Sequence, residues 1–161
     1  MNAAHSKDLS ANAHSPRDPR DSFRALMAPK SVAVVGATER PGSVGRTVMW
    51  NLLRYPFGGA VYPVNPQRPA VMGVHAYKSV TELPEVPDLV VVVTPAPTVP
   101  AVISQCADLG VRAAIVITAG FKETGPAGVE LEHKTLEQIR RGKMRLIGPN
   151  CLRSEEHTSE L

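Results

Sequence analysis

At 161 residues the chain has the length of one domain, enough to bury one sizeable core and not two. An apolar fraction of 43% with 20% charge is globular, and because aromatics make up only 4%, the hydrophobicity rests on Val, Ala and Leu, as in strands covered on both faces. No apolar run reaches the length of a membrane span, and the N-terminus lacks the apolar centre of a signal peptide. Cys106 and Cys151 have no metal or redox spacing, so a cytoplasmic α/β protein with reduced thiols and no metal site is predicted.

The charge is uneven. Residues 23–152 carry 14 Lys and Arg against 9 Asp and Glu, a surplus of five, which suits a phosphate-bearing ligand. These charges are scattered singly, without a basic run or interleaved aromatics, so nucleic acid is not the expected partner.

Residues 1–22 are rich in Ala, Ser, Asn, Asp and Pro, show no periodic apolar face, and read as a disordered leader. "FRALMAPK" reads as a short helical turn stopped by Pro29. "SVAVVG" (31–36) is a buried strand running into the loop "GATERPGSVG", after which Val44, Val48 and Leu52 fall on one helical face. Ser43 is the expected N-cap of that helix, and Pro56 with Gly58 and Gly59 ends it.

"AVYPVN" (60–65) is the second strand and the β-branched run "DLVVVVTP" (88–95) the third. "TVPAVISQCADLG" (98–110) reads as a helix capped by Thr98, with Pro100 in its first turn and Gly110 just past its end. "RAAIVITAG" (112–120) is the fourth strand. Residues 125–142 form a helix that opens on Pro126 and closes on Gly142, and "KMRLIG" (143–148) is the fifth strand. This alternation predicts a Rossmann-like, doubly wound parallel sheet of about five strands with helices on both faces.

Ligands of such sheets bind at the carboxyl ends of the strands. In the first loop Gly36 permits a sharp turn, Gly42 and Gly45 leave room beside the backbone, and the helix from Ser43 and Val44 offers unpaired N–H groups to an anion. Arg40 adds positive charge, and Ala37, Thr38 and Ser43 complete a diphosphate cradle. Residues 62–68 lack the acid that holds the ribose hydroxyls of NAD, and the glycine spacing departs from G-x-G-x-x-G. A nucleotide with a phosphate on its ribose, NADP or coenzyme A, fits better, met by Asn65, Pro66 and Arg68.

Thr94, Pro95 and Ala96, with Thr118, Ala119 and Gly120, offer walls and backbone donors rather than acid–base groups. No catalytic residue is assigned. Lys122 and Glu123 read as a solvated loop pair, Cys106 as core, and Cys151 as part of a loop.

Taken in order, "SVAVVGATERPGSVG", "GGAVYPVNP", "AYKSVTELPEVPDLVVVVTPAPTV", "AAIVITAGFKETG" and "RLIGPNCL" resemble the N-terminal CoA-binding domain of the nucleoside-diphosphate-forming acyl-CoA synthetases, the superfamily of the succinyl-CoA ligase alpha subunit. The resemblance implies that Gly36 to Gly45 lie along the CoA phosphates, that Asn65 and its neighbours meet the nucleotide end, and that Thr94 to Ala96 help to enclose it. It also implies a phosphorylated histidine and an ATP-grasp domain in parts of the enzyme that these motifs do not include. The chain is therefore expected to bind CoA without completing the ligase reaction. The competing readings are the CoA module of a protein acetyltransferase fusion, a stand-alone CoA-binding protein, and an NADP-dependent oxidoreductase.

Residues 153–161, "RSEEHTSEL", are polar without period and resemble the in-frame translation of a common sequencing adapter. They are left out of site reasoning, and the chain is expected to be the first domain of a larger enzyme.

Overall fold

In a parallel sheet with helices on both faces, an inner strand is a nearly continuous apolar run. Two such segments are buried throughout: β1 (Ser31–Val35), in which only Ser31 is polar, and β5 (Leu89–Val92). They are the two innermost apolar runs of the computed structural model, which describes residues 19–151, and both have a strand on either side. Residues 1–18 of the expected leader, and the adapter-like segment 153–161, lie outside the described residues.

The sheet has five strands, all parallel, in the order β2-β1-β5-β6-β7, with β2 at Ala60–Val64, β6 at Ala113–Val116 and β7 at Arg145–Ile147. Pro63 cannot donate to a ladder, and it sits in the edge strand β2, where that is tolerated.

Alternation along the strands divides the core into two layers. Val32, Val34, Leu89, Val91 and Ala113 face Ala25 of α1 (Pro19–Met27) and Met49 of α2 (Val44–Arg54). Ala33, Val35, Val90, Val92, Ala114 and Val116 face Ile103 and Cys106 of α3 (Val99–Leu109) and Ile139 of α4 (Pro126–Gly142). Each Val or Ile fully buried in this way contributes about 1.5–3 kcal/mol. The doubly wound architecture expected from the sequence is the one observed.

Four local expectations are corrected. α1 starts at Pro19, so residues 19–22 of the supposed leader form its first turn, with Asp21 favourably placed at the helix start. The third strand spans only Leu89–Val92 of the predicted run. Thr98 does not cap α3 with its side chain: the hydroxyl donates to Pro95 O at 2.7 Å, because a 3-10 turn at Ala96–Thr98 runs straight into the helix. The left-handed residue ending α4 is Lys143, not Gly142; a Cβ on Gly142 would lie 2.8 Å from Ala107 Cβ, so glycine there serves the approach of α4 to α3.

The connection from β2 to β5 contains no α-helix. It forms a two-stranded antiparallel ribbon, β3 (Ala70–Val71) and β4 (Val74–His75), followed by a 3-10 turn at Val80–Glu82. After the ribbon, Tyr77 N donates to Pro63 O and Asn65 N donates to Tyr77 O, which covers the outer end of β2.

Candidate functional site

The strand order reverses between β1 and β5: from β1 the chain goes to β2 on one side, then returns to β5 on the other. A crevice opens beyond the carboxyl ends at such a switch. The β1 loop turns into it at Gly36, whose φ of +93° is left-handed, and a Cβ there would meet Thr94 Cγ2 and Val93 Cγ2, both at 3.0 Å. The loops after β1 and β5 thus touch.

α2 begins against the same turn. A Cβ on Gly45 would lie 2.3 Å from the Gly36 carbonyl oxygen, so no side chain fits between helix and loop. Ser43 caps α2 as expected, its Oγ accepting from Arg46 N at 3.3 Å. That hydroxyl donates to Arg40 O at 2.7 Å and Thr38 Oγ1 accepts from Arg40 N at 3.2 Å, so both side chains brace the loop, and Ser43 spends its hydroxyl hydrogen in doing so. The N–H groups of Val44 and Gly45, in the first turn of the helix, have no acceptor within the helix, an arrangement that suits an anion. Arg40 is exposed beside them.

Asn65 stands at the end of β2 as the sequence suggested, but its amide is engaged. Nδ2 donates to Ala37 O at 2.8 Å and Oδ1 accepts from Gln67 N at 2.8 Å, which ties the β2 loop to the β1 loop. Pro66 and Arg68 are exposed next to it.

On the other side Thr118 Oγ1 donates to Thr94 O at 2.7 Å, Asn150 N donates to Thr118 O at 3.1 Å, and Cys151 Sγ lies 3.6 Å from Val116 O. Hydrogen bonds therefore link the loops holding Thr94, Pro95 and Ala96, Thr118, Ala119 and Gly120, and the "GPNC" turn. All five loops singled out in the sequence lie along one edge of the sheet.

Two acids there were not assigned a role from the sequence. Glu39 reaches from the β1 loop to the ribbon, its Oε1 accepting from Met72 N at 2.6 Å and its Oε2 lying 3.4 Å from Arg68 NH1. A carboxylate thus does stand near the end of β2, supplied from another loop. Glu123 is exposed, as a solvated loop group would be, yet its carboxylate is engaged: Oε1 accepts from Gly120 N at 2.7 Å and from Asn150 Nδ2 at 3.3 Å. The three-residue spacing of Gly120 and Glu123 resembles a capping box and was the available signal; nothing local indicated Met72 or Asn150 as partners.

Cys106 is buried in the core, and burial pushes its thiol up to about 12, whereas Cys151 is exposed. Among the described residues no group of three or more His, Cys, Asp and Glu is placed to hold a metal ion, and no helix is long and apolar enough to cross a membrane. An apolar groove of about 960 Å³ lies elsewhere, between α1 and α2, lined by Met27, Leu52, Tyr55, Phe57, Val91 and Ile115. Its lining is mostly apolar, with Lys30 and Asn51 as the polar exceptions, so the loop crevice with its helix N-terminus is the better candidate for an anionic ligand.

A family model described as "CoA binding domain" matches residues 30–156. The chain is 45% identical over 127 residues to the ADP-forming acetate–CoA ligase I of Archaeoglobus fulgidus, covering 79% of this chain and 18% of the relative. It is 41% identical over 133 residues to the alpha subunit of ADP-forming acetate–CoA ligase I of Pyrococcus furiosus, covering 80% and 29%. Among solved structures it resembles the dinucleotide forming acetyl-coenzyme A synthetase 1 of Ca. Korarchaeum cryptofilum in complex with phosphate and ADP, with a TM-score of 0.75, 39% identity, and coverage of 81% and 28%. The chain spans between 18% and 29% of the length of the curated relatives it matches.

Proposed function

The chain belongs to the CoA binding domain family, and on that premise we propose that it holds the coenzyme A of an ADP-forming acyl-CoA ligase. The complete reaction would convert acyl-CoA, phosphate and a nucleoside diphosphate into carboxylate, CoA and nucleoside triphosphate. The chain's share is to bind and orient CoA.

The observation that supports this reading is the series of linked loops along the carboxyl edge of the sheet, with the N-terminus of α2 packed on the β1 loop at the switch point. The CoA diphosphate lies against the start of α2, where the N–H groups of Val44 and Gly45 and the charge of Arg40 meet its oxygens. Glycine at positions 36 and 45 brings loop and helix close enough together to form that cradle. Asn65 acts by holding the Ala37 carbonyl, and so the loop, in place. The nucleotide end extends past Pro66 toward Arg68, while the pantetheine arm crosses Thr94, Pro95 and Ala96 to the loop Thr118, Ala119 and Gly120. Glu123 fixes that last loop against Asn150. No acid–base or nucleophilic step is assigned to these residues.

Calorimetry on the 161-residue chain tests the reading. CoA binds and NADPH binds much more weakly; the reverse order would remove the CoA assignment in favour of an oxidoreductase site.

A further inference from the structure

The apolar groove between α1 and α2 lies away from the ligand loops, and the handedness of the fold explains why it is open. The connections β5-α3-β6 and β6-α4-β7 are parallel crossovers, which are right-handed, so α3 and α4 lie together on one face of the sheet. The other face carries α2 over β1 and β2, and only the nine-residue α1 over β6 and β7. Between those two helices the groove, about 960 Å³ in volume, reaches down to the sheet. The exposed residues Lys30 and Gly58, which precede β1 and β2, place its mouth at the amino ends of the strands.

Val32, Leu89, Val91 and Ile115 form the floor. Val91 is paired with Val34, so the floor runs four residues along the sheet from Lys30, about 13 Å, the span of an extended alkyl chain of about ten carbons. The protein's own side chains do not close it: Met27 on one wall and Tyr55 on the other are 66% and 68% exposed. Charge is confined to one end. Among the described residues that line the groove Lys30 alone is charged, and its ammonium enters no ion pair. The nearby acid is Asp88, whose Oδ2 accepts the Lys30 backbone N–H at 2.9 Å while Oδ1 lies 3.7 Å from Arg112 NH1, so its charge already has a partner.

We propose that this groove binds a free medium-chain monocarboxylate, with its alkyl chain over the valine, leucine and isoleucine floor and its carboxylate against Lys30. The charge pattern selects that class: an apolar lining with one cation at one end is complementary to an apolar tail with one anionic head. The site stands apart from the CoA crevice at the carboxyl ends of the strands and does not depend on it.

The test is an amide NMR titration of the 161-residue chain with octanoate, decanoate and dodecanoate as monomers. Saturable shifts are expected at Lys30, Leu52, Tyr55, Val91 and Ile115. From octanoate to decanoate the two added methylenes tighten binding about tenfold, and the gain to dodecanoate is smaller because the chain outgrows the floor. Decyltrimethylammonium, with the same chain and the opposite charge, binds at least about threefold more weakly at low salt. Lys30→Met removes that difference and Lys30→Glu reverses it. Asn51→Trp, a surface change that fills the groove from α2, abolishes decanoate binding while the melting temperature stays that of the wild type. Equal affinity for the two head groups, shifts without saturation, or decanoate shifts confined to residues 36–45 and 94–96 overturn the proposal. Groove shifts that appear on raising the protein concentration alone give the groove to a second copy of the chain and overturn it as well. So does binding to vesicles of anionic phospholipid without any response to monomeric decanoate. A failed CoA titration bears on the CoA reading and leaves these outcomes as they stand.

Discussion

Replacing Gly45 by alanine places a methyl group where the structure has no room. The new Cβ lies 2.3 Å from the Gly36 carbonyl oxygen and 3.3 Å from Thr38 Cγ2, whereas ordinary contact begins at 3.4 Å. Both obstacles belong to the phosphate loop, so α2 must retreat from it by about 1 Å, a misplacement large enough to disable an oriented site. Overpacking of this kind costs about 1–3 kcal/mol, which lowers the melting temperature by about 4 °C per kcal/mol in a domain of this size. CoA affinity should fall by at least about tenfold, because the N–H groups of Val44 and Gly45 move with the helix.

Gly42→Ala is the control. Gly42 also has a left-handed φ, +75°, but a Cβ there meets nothing within 4 Å. The substitution costs backbone strain of about 1–2 kcal/mol without pushing α2 away. Thermal unfolding and CoA titration of both variants separate the effects: similar melting points, with the larger loss of affinity at Gly45. A Gly45→Ala variant with wild-type melting temperature and wild-type CoA affinity would refute the close packing from which the cradle is argued.

Asn65→Asp should destabilise the chain more than Asn65→Ala in chemical denaturation, because a carboxylate keeps the Gln67 N–H but sets a negative charge against the Ala37 carbonyl. An Asp variant as stable as the wild type would remove the bracing role. At Cys106, the folded thiol has its proton affinity raised to about 12 from an ordinary 9.0, so the folded state holds its proton over a range where the unfolded chain releases it. Stability relative to Cys106→Ala should therefore decline as pH rises above about 9, with a slope approaching about 1.4 kcal/mol per pH unit; parallel pH profiles for the two proteins would contradict the burial argument. A thiol reagent at neutral pH should label exposed Cys151 first and reach Cys106 only on unfolding. No acyl-CoA formation is expected from the 161-residue chain with carboxylate, CoA and ATP, and measurable turnover would place the catalytic centre within it.

The positions of the main strands and helices were legible because strong local signals agree with the fold. β1 and β5 are short runs dominated by valine, Ser43 caps α2, and Gly110 ends α3 in the left-handed conformation. The ribbon was not legible, since strands of two residues carry no measurable period, and residues 66–87 are assigned no element from the sequence. The start of α1 was missed although Pro19 at its first position was a usable sign.

At the site, the sequence singled out the loops that the sheet brings to one edge. The partners within them became visible only in three dimensions. The sequence offers Asn65 as a ligand contact, and only the structure shows that its amide also binds Ala37 and Gln67. The absence of an acid between residues 62 and 68 also concealed Glu39, which reaches the same region from the neighbouring loop.

The central claim is that CoA lies along the carboxyl edge of the sheet. The most direct measurement is an amide NMR titration of the 161-residue chain with CoA. The account predicts that shifts concentrate in residues 36–45, 65–68, 94–96 and 118–120. Shifts confined instead to the apolar groove between α1 and α2, around Met27, Tyr55 and Phe57, would contradict it.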